Sequence, residues 1–163
     1  MARKKHRRYR LKDFDYARNG AYFITIVSQN RSRAFGEIID GEMRLSNIGK
    51  FVEYNINLIS MVKQDVRIDE YQVMPDHVHL IVTIRNPLER TSIKYAPGLH
   101  PLIPGSLSSF INHFKGKVTR WCNENGIEGF KWQAKFHDRI IRDNGAYRAI
   151  QNYIRTNVQN WKG

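Results

Sequence analysis

The sequence holds a single cysteine, Cys122, among 163 residues. That excludes a disulfide within the chain and a multi-cysteine zinc site, and a lone thiol suits a reducing compartment. No apolar run approaches the ~18 residues that a membrane helix needs. The first ten residues, MARKKHRRYR, are basic, but LKDFDYARNG follows where a signal peptide would carry an apolar stretch. These absences predict a cytoplasmic protein without a membrane partner. Acidic residues are scarce as well, with 15 Asp+Glu against 27 Lys+Arg and a formal charge of +12. Hydrophobic residues nevertheless make up 41% and aromatics 12%, so the chain can build a packed core and is not a disordered polycation. Its length fits one domain over 1–163.

The positive charge is unevenly placed. Residues 1–18 carry eight basic and two acidic side chains, 19–105 carry nine of each, and 106–163 carry ten basic and four acidic. A neutral middle between two basic ends predicts a polyanion-binding surface, because each phosphate neutralised by Lys or Arg releases counterions. Residues 1–18 read as a basic arm. A solubilising tail would account for the arm alone, since the second basic block lies among helix and strand patterns. An anionic membrane surface fits less well, because the basic stretches lack a long apolar helical face.

Residues 21–28, AYFITIVS, are β-branched and aromatic and predict a strand. Asp40-Gly41 between short apolar runs predicts a hairpin, whose two central positions need positive φ. Ser46 or Asn47 caps a helix over about 47–62, with Ile48, Phe51, Val52, Ile59 and Val62 as its buried side. Residues 67–74 and 77–84 read as strands separated by Pro75-Asp76. Four of the five prolines fall in 85–105, which reads as a loop. A helix over 106–124 places Phe110, Phe114, Val118 and Trp121 on one side and Lys115, Lys117 and Arg120 on the other. HDRIIR at 137–142 reads as a short strand, and Asp143 or Asn144 caps a last helix running to about Trp161. Without the hairpin and the last helix the order is βαββαβ, which is the ferredoxin-like α+β order. It predicts an antiparallel sheet with helices on one face and the other face free to bind.

One segment carries chemistry, YQVMPDHVHLIVTI at 71–84. Residues i and i+2 of a strand share a face, so His77 and His79 can address one ion while Val78 packs on the opposite face. A lone His-x-His pair is a weak signal; the flanking Met-Pro-Asp and Leu-Ile-Val-Thr-Ile strengthen it. In the last helix, Tyr147, Ile150, Ile154, Val158 and Trp161 form an apolar stripe, which makes Tyr147 a core anchor. Tyr153 and Asn157 lie one turn apart on an adjacent face with Ala146 and Ala149, which leave room for a substrate strand.

MPDHVHLIV resembles the His-hydrophobic-His (HUH) signature of the single-tyrosine transposases of bacterial insertion sequences, and most nearly that of their REP-associated relatives. The likeness spans most of the chain, including Phe114-Lys115-Gly116 and the stretch from Trp132-Gln133-Ala134-Lys135-Phe136-His137 to Trp161. It implies that Tyr153, followed by Ile154 and with Asn157 four residues on, is the nucleophile. It further implies that Asn157 is a third metal ligand beside His77 and His79, where some relatives carry Gln. The implied metal is magnesium or manganese, and manganese suits a mixed nitrogen and oxygen set. The implied activity is nicking and rejoining of single-stranded or hairpin DNA through a 5′-phosphotyrosine. Expected backbone contacts are Lys115, Lys117, Arg120, Arg139, Arg142 and the arm, including Arg7 and Arg8. Asp76, Lys135 and His137 stand near the motifs as general-base candidates, and none is assigned. The resemblance leaves a monomer or a homodimer open; little chain follows Trp161 for an added dimerisation helix, which favours a monomer. The alternative is a non-catalytic nucleic-acid-binding ferredoxin-like domain.

Overall fold

A computed structural model describes residues 19–63, 65–85 and 105–162. The basic arm with Arg7 and Arg8, and nearly all of the 85–105 loop, lie outside the described residues. The described strands and α-helices, in chain order, are β1 (Gly20–Val27), β2 (Gly36–Ile39), β3 (Glu42–Leu45), α1 (Asn47–Val62), β4 (Val66–Val73), β5 (His77–Ile84), α2 (Leu107–Glu124), β6 (His137–Ile141) and α3 (Asn144–Thr156). β4, β5, β1 and β6 form one antiparallel sheet in that spatial order, and β2 pairs with β3 as a separate hairpin. This is the expected ferredoxin-like arrangement with its inserted hairpin.

Local chemistry explains the element ends. Asp40 and Gly41 turn the hairpin with φ of 52° and 77°, the left-handed pair that a two-residue turn requires. Ser46 Oγ accepts the Gly49 amide at 3.1 Å and donates to Ala34 O at 2.7 Å, capping α1 while fixing it to the chain ahead of the hairpin. A Cβ on Gly49 would lie 2.1 Å from Phe35 O, so helix and backbone meet there at a distance only glycine permits. Asp143 caps α3 by accepting the Ala146 amide at 2.7 Å.

The two faces of the sheet are covered differently. Tyr22, Ile24 and Ile26 of β1 and Val78, Leu80 and Val82 of β5 are buried with Val52 and Ile56 of α1 and with Phe110, Ile111, Phe114 and Val118 of α2. Each such side chain contributes about 1.5–3 kcal/mol by leaving water, so this layer dominates stability. On the opposite face Ile150 and Ile154 of α3 pack on Ile81, flanked by Phe23, Ile141 and Tyr147. The expectation of a free second face is corrected accordingly: α3 crosses it.

Two further corrections concern helices. Val62, expected in the core, is 69% exposed, because the buried positions of α1 stop at Ile56 and its last turn overhangs. The last helix ends at Thr156 and not near Trp161. Asn157 N bonds Ile154 O and Trp161 N bonds Val158 O, both i→i−3, while Asn160 N bonds Thr156 O, so the regular ladder gives way to single turns.

Candidate active site

Strand alternation and register build the site. Phe23 and Thr25 of β1 stand beside Ile81 and His79 of β5 on one side and Arg139 and His137 of β6 on the other. All six lie on the face that α3 crosses. The two histidines therefore share a face, as their spacing predicts, with Val78 in the opposite core.

Both imidazoles are buried, and their Nε2 atoms lie 3.0 Å apart. Their other nitrogens are held from behind: His77 Nδ1 is 2.5 Å from Asp76 Oδ1, and His79 Nδ1 is 2.9 Å from Thr25 Oγ1. An imidazole whose Nδ1–H donates to an oxygen offers its Nε2 lone pair forward. Asp76 is itself anchored, since its carbonyl accepts from the amide and the hydroxyl of Ser28, both at 2.9 Å, and its Oδ2 faces Arg31 at 3.3 Å. Positive φ at Asn30 and Arg31 turns the chain after β1 back over Asp76.

Burial pushes the pKa of His77 down, against the opposing pull of Asp76. His79 falls to about 3, through burial first and then the neighbouring His77 charge. Both rings are thus neutral near pH 7, the state a metal ligand requires. A spacing of 3.0 Å is close to that of two adjacent ligands each about 2.0–2.1 Å from one ion. Among the described residues no three His, Cys, Asp or Glu side chains group to hold a metal. The pair fits a divalent ion on those grounds.

The two tyrosines separate as expected. Tyr153 directs its hydroxyl to within 3.5 Å of His79 Nε2, with its ring 5.4 Å from the His79 ring and edge-on to Phe23 at 6.0 Å. Tyr153 itself is half exposed, at 49%. Tyr147 turns instead to β4, where burial and then the neighbouring Asp69 carboxylate, which bonds its hydroxyl, raise its pKa. A β-bulge between Ile68 and Glu70 sits at that carboxylate, which also receives Thr83 Oγ1 at 2.5 Å. Asn157 is buried four residues beyond Tyr153 and four before Trp161, whose ring lies 5.9 Å from the His77 ring.

The basic residues do not form one group. Lys117 and Arg120 are exposed on α2, on the far layer of the sheet from the histidines. Lys115 Nζ donates to Gln133 O at 2.6 Å and to Ala134 O at 3.3 Å, and Trp132 Nε1 returns a bond to Lys115 O at 3.2 Å. That ammonium tethers the segment before β6, which leaves it one donor for anything outside. Arg139, exposed on β6, is on the histidine face, and Arg142 is exposed just past that strand. Of the general-base candidates, Asp76 is committed to His77, His137 stands on the edge strand opposite Thr25, and Lys135 is exposed. Sequence reasoning missed Thr25, Phe23, Arg31 and the role of Trp161. The alternation in GAYFITIV puts Phe23 and Thr25 on one face, but nothing local gives the register that brings them to His79.

No family model matches the chain. It is 35% identical over 166 aligned positions to an uncharacterized protein of Haemophilus influenzae strain Rd, covering 96% of this chain and 91% of that one. A second protein of that strain, provisionally named a REP-associated tyrosine transposase, is 24% identical over 140 positions, covering 86% of this chain and 70% of that protein. Among solved structures, a REP-associated tyrosine transposase bound to a REP hairpin superposes with a TM-score of 0.62 at 20% identity, over 94% of this chain and 80% of that one. The chain thus belongs to one family with the uncharacterized Haemophilus protein; it is similar in sequence to the protein provisionally named a REP-associated tyrosine transposase, and it has the fold of the transposase bound to a REP hairpin.

Proposed function

We propose that the chain is a metal-dependent DNA strand transferase that nicks and rejoins hairpin-bearing single-stranded DNA through a covalent 5′-phosphotyrosine at Tyr153. One observation carries this reading: the Tyr153 hydroxyl lies 3.5 Å from His79 Nε2, across 74 residues of sequence, and that nitrogen lies 3.0 Å from His77 Nε2. The hairpin complex of the related transposase supports the choice of substrate. So does the site itself, because a phenol on a packed helix reaches a splayed strand more readily than a phosphate inside a stacked duplex.

A divalent ion, Mg²⁺ or Mn²⁺, held by His77 and His79 with Asn157 as third donor, would neutralise charge developing on the scissile phosphate. The remaining chemistry belongs to the chain. The Tyr153 oxygen attacks phosphorus in line, so that its O–P bond forms as the bond from phosphorus to the 3′-oxygen breaks. The phenol proton passes to solvent and the departing 3′-oxygen takes one up. Attack by a 3′-hydroxyl on the phosphotyrosine reverses the step, and no nucleotide cofactor is needed. Asp76 and Thr25 hold the imidazoles in the tautomer that leaves both Nε2 lone pairs free for an ion, and Phe23 holds the phenol from its side. Lys117, Arg120, Arg139, Arg142 and the arm with Arg7 and Arg8 contact the backbone, Lys115 through its one remaining donor. Tyr153 and both histidines meet within one chain, which supports a monomer as the working unit.

The test incubates the protein with hairpin-bearing single-stranded DNA and Mn²⁺ or Mg²⁺. A species resistant to boiling in detergent should form, and Tyr153→Phe should lose it while still retarding the DNA. DNA retardation with no cleavage under either metal would instead make the chain a non-catalytic nucleic-acid-binding module.

A further inference from the structure

Beside the nucleophile, between α3 and the edge strand β6, lies a cleft of about 450 Å³. Its floor is Phe23 and Thr25 of β1 with His137 and Arg139 of β6, and its wall is Ala149, Ile150 and Tyr153 of α3. The surface is mostly apolar; its polar residues are Thr25 of β1, Tyr153 of α3 and His137, Asp138 and Arg139 of β6. Phe23 links the cleft to the histidine pair, since its ring is 5.2 Å from that of His79 and 6.0 Å from that of Tyr153.

We infer that this cleft is a nucleobase subsite, which seats the base of a nucleotide flanking the scissile phosphate. The inference rests on the nicking reading for the identity of that phosphate. Three features argue for a base. A single-stranded nucleic acid presents flat, largely apolar rings joined to charged phosphates, and sites for it pair an aromatic platform with cations along the backbone path. Here Phe23 offers the platform, and Arg139, one strand further out and directly opposite Phe23, offers a guanidinium fork that suits a base edge or the next phosphate. Ala149, one turn before Tyr153 on the same helix, lines the wall, and its small side chain takes little of the space beside the phenol. The cleft opens at the edge of the sheet, because no strand pairs with β6 on its outer side among the described residues. Seating one base would fix the neighbouring phosphate against Tyr153, so the cleft would help to select the nucleotide at the cut.

The experiment uses a hairpin-bearing single-stranded oligonucleotide in which 2-aminopurine is walked through the unpaired flank. Binding is followed by anisotropy, stacking by quenching of the 2-aminopurine, and chemistry by the covalent species. One register should be quenched in the wild type and equally in Tyr153→Phe. Ala149→Leu, at an exposed helix position, and Phe23→Leu should restore its fluorescence and weaken binding on the order of tenfold, the scale of one lost base–aromatic stack. Bound DNA with no quenched register, or quenching that persists in Phe23→Leu, overturns the subsite. If the covalent species still forms at Tyr153 in that case, the nicking reading survives. A quenched register that both variants release, with no covalent species under any metal, leaves the subsite standing and sinks the nicking reading. Failure of the wild type to bind the DNA overturns both.

Discussion

Asp76 tests how the histidines are held. Its Oδ1 lies 2.5 Å from His77 Nδ1, and its side chain is only 6% exposed, so no water can readily take its place. Removing the partner behind a metal-bound imidazole costs about 10–100-fold in metal affinity, or about 1.4–2.8 kcal/mol. Asp76→Asn keeps an oxygen to accept the Nδ1–H but loses the charge that faces both the ring and Arg31, which predicts the lower end of that range. Asp76→Ala leaves a buried N–H without an acceptor and predicts the upper end. The assay is calorimetric titration of Mn²⁺ into DNA-free protein, with His77→Ala as the blank. Tyr153→Phe should bind Mn²⁺ as the wild type does. The fold should survive both substitutions, because Ser28 bonds the backbone carbonyl of Asp76 and not its side chain. Wild-type Mn²⁺ affinity in Asp76→Ala, with affinity abolished in His77→Ala, would refute the argument that Asp76 sets the ligand geometry.

Other substitutions separate structural roles from binding and chemical ones. Lys115→Met should lower stability by about 1 kcal/mol, measured by denaturant melts, because it releases the carbonyls of Gln133 and Ala134 at a half-exposed site. Arg120→Ala should leave the melt unchanged and reduce the slope of log affinity against log salt by about 1; an unchanged slope would remove α2 from the DNA surface. Tyr147→Phe should keep the covalent species and cost about 0.5–1.5 kcal/mol in stability through the lost bond to Asp69. An equimolar mixture of Tyr153→Phe and His77→Ala should give no more covalent species than either alone, since each site is completed within one chain; recovery in the mixture would mean that subunits exchange α3.

Local signals read most directly. Asp40-Gly41, the Ser46 cap, the Pro75-Asp76 break and the Asp143 cap each depend on a few adjacent residues, and each stands where the sequence predicts. The shared face of His77 and His79 follows from strand alternation alone. What depends on tertiary position was not legible. The apolar stripe of α3 says that one side is buried, but not that it lies on the face opposite α1 and α2. Val62 continues the stripe of α1, yet the core beneath it ends at Ile56. Lys115 has the pattern of a solvated cation on a polar helix face, and only the return of the chain at Gln133 and Ala134 gives it partners. Thr25 carries no local mark of its role, because its contact with His79 comes from the register of β1 against β5.

The central claim is that the phenol meeting the imidazole pair is the group that takes the phosphate. Its most direct test is to trap the covalent species on hairpin-bearing DNA with Mn²⁺, digest the protein and the DNA, and map the residual nucleotide by mass spectrometry. The account predicts a phosphotyrosine on the peptide carrying Tyr153 and none on the peptide carrying Tyr147. An adduct at Tyr147, or at any residue outside α3, would contradict it.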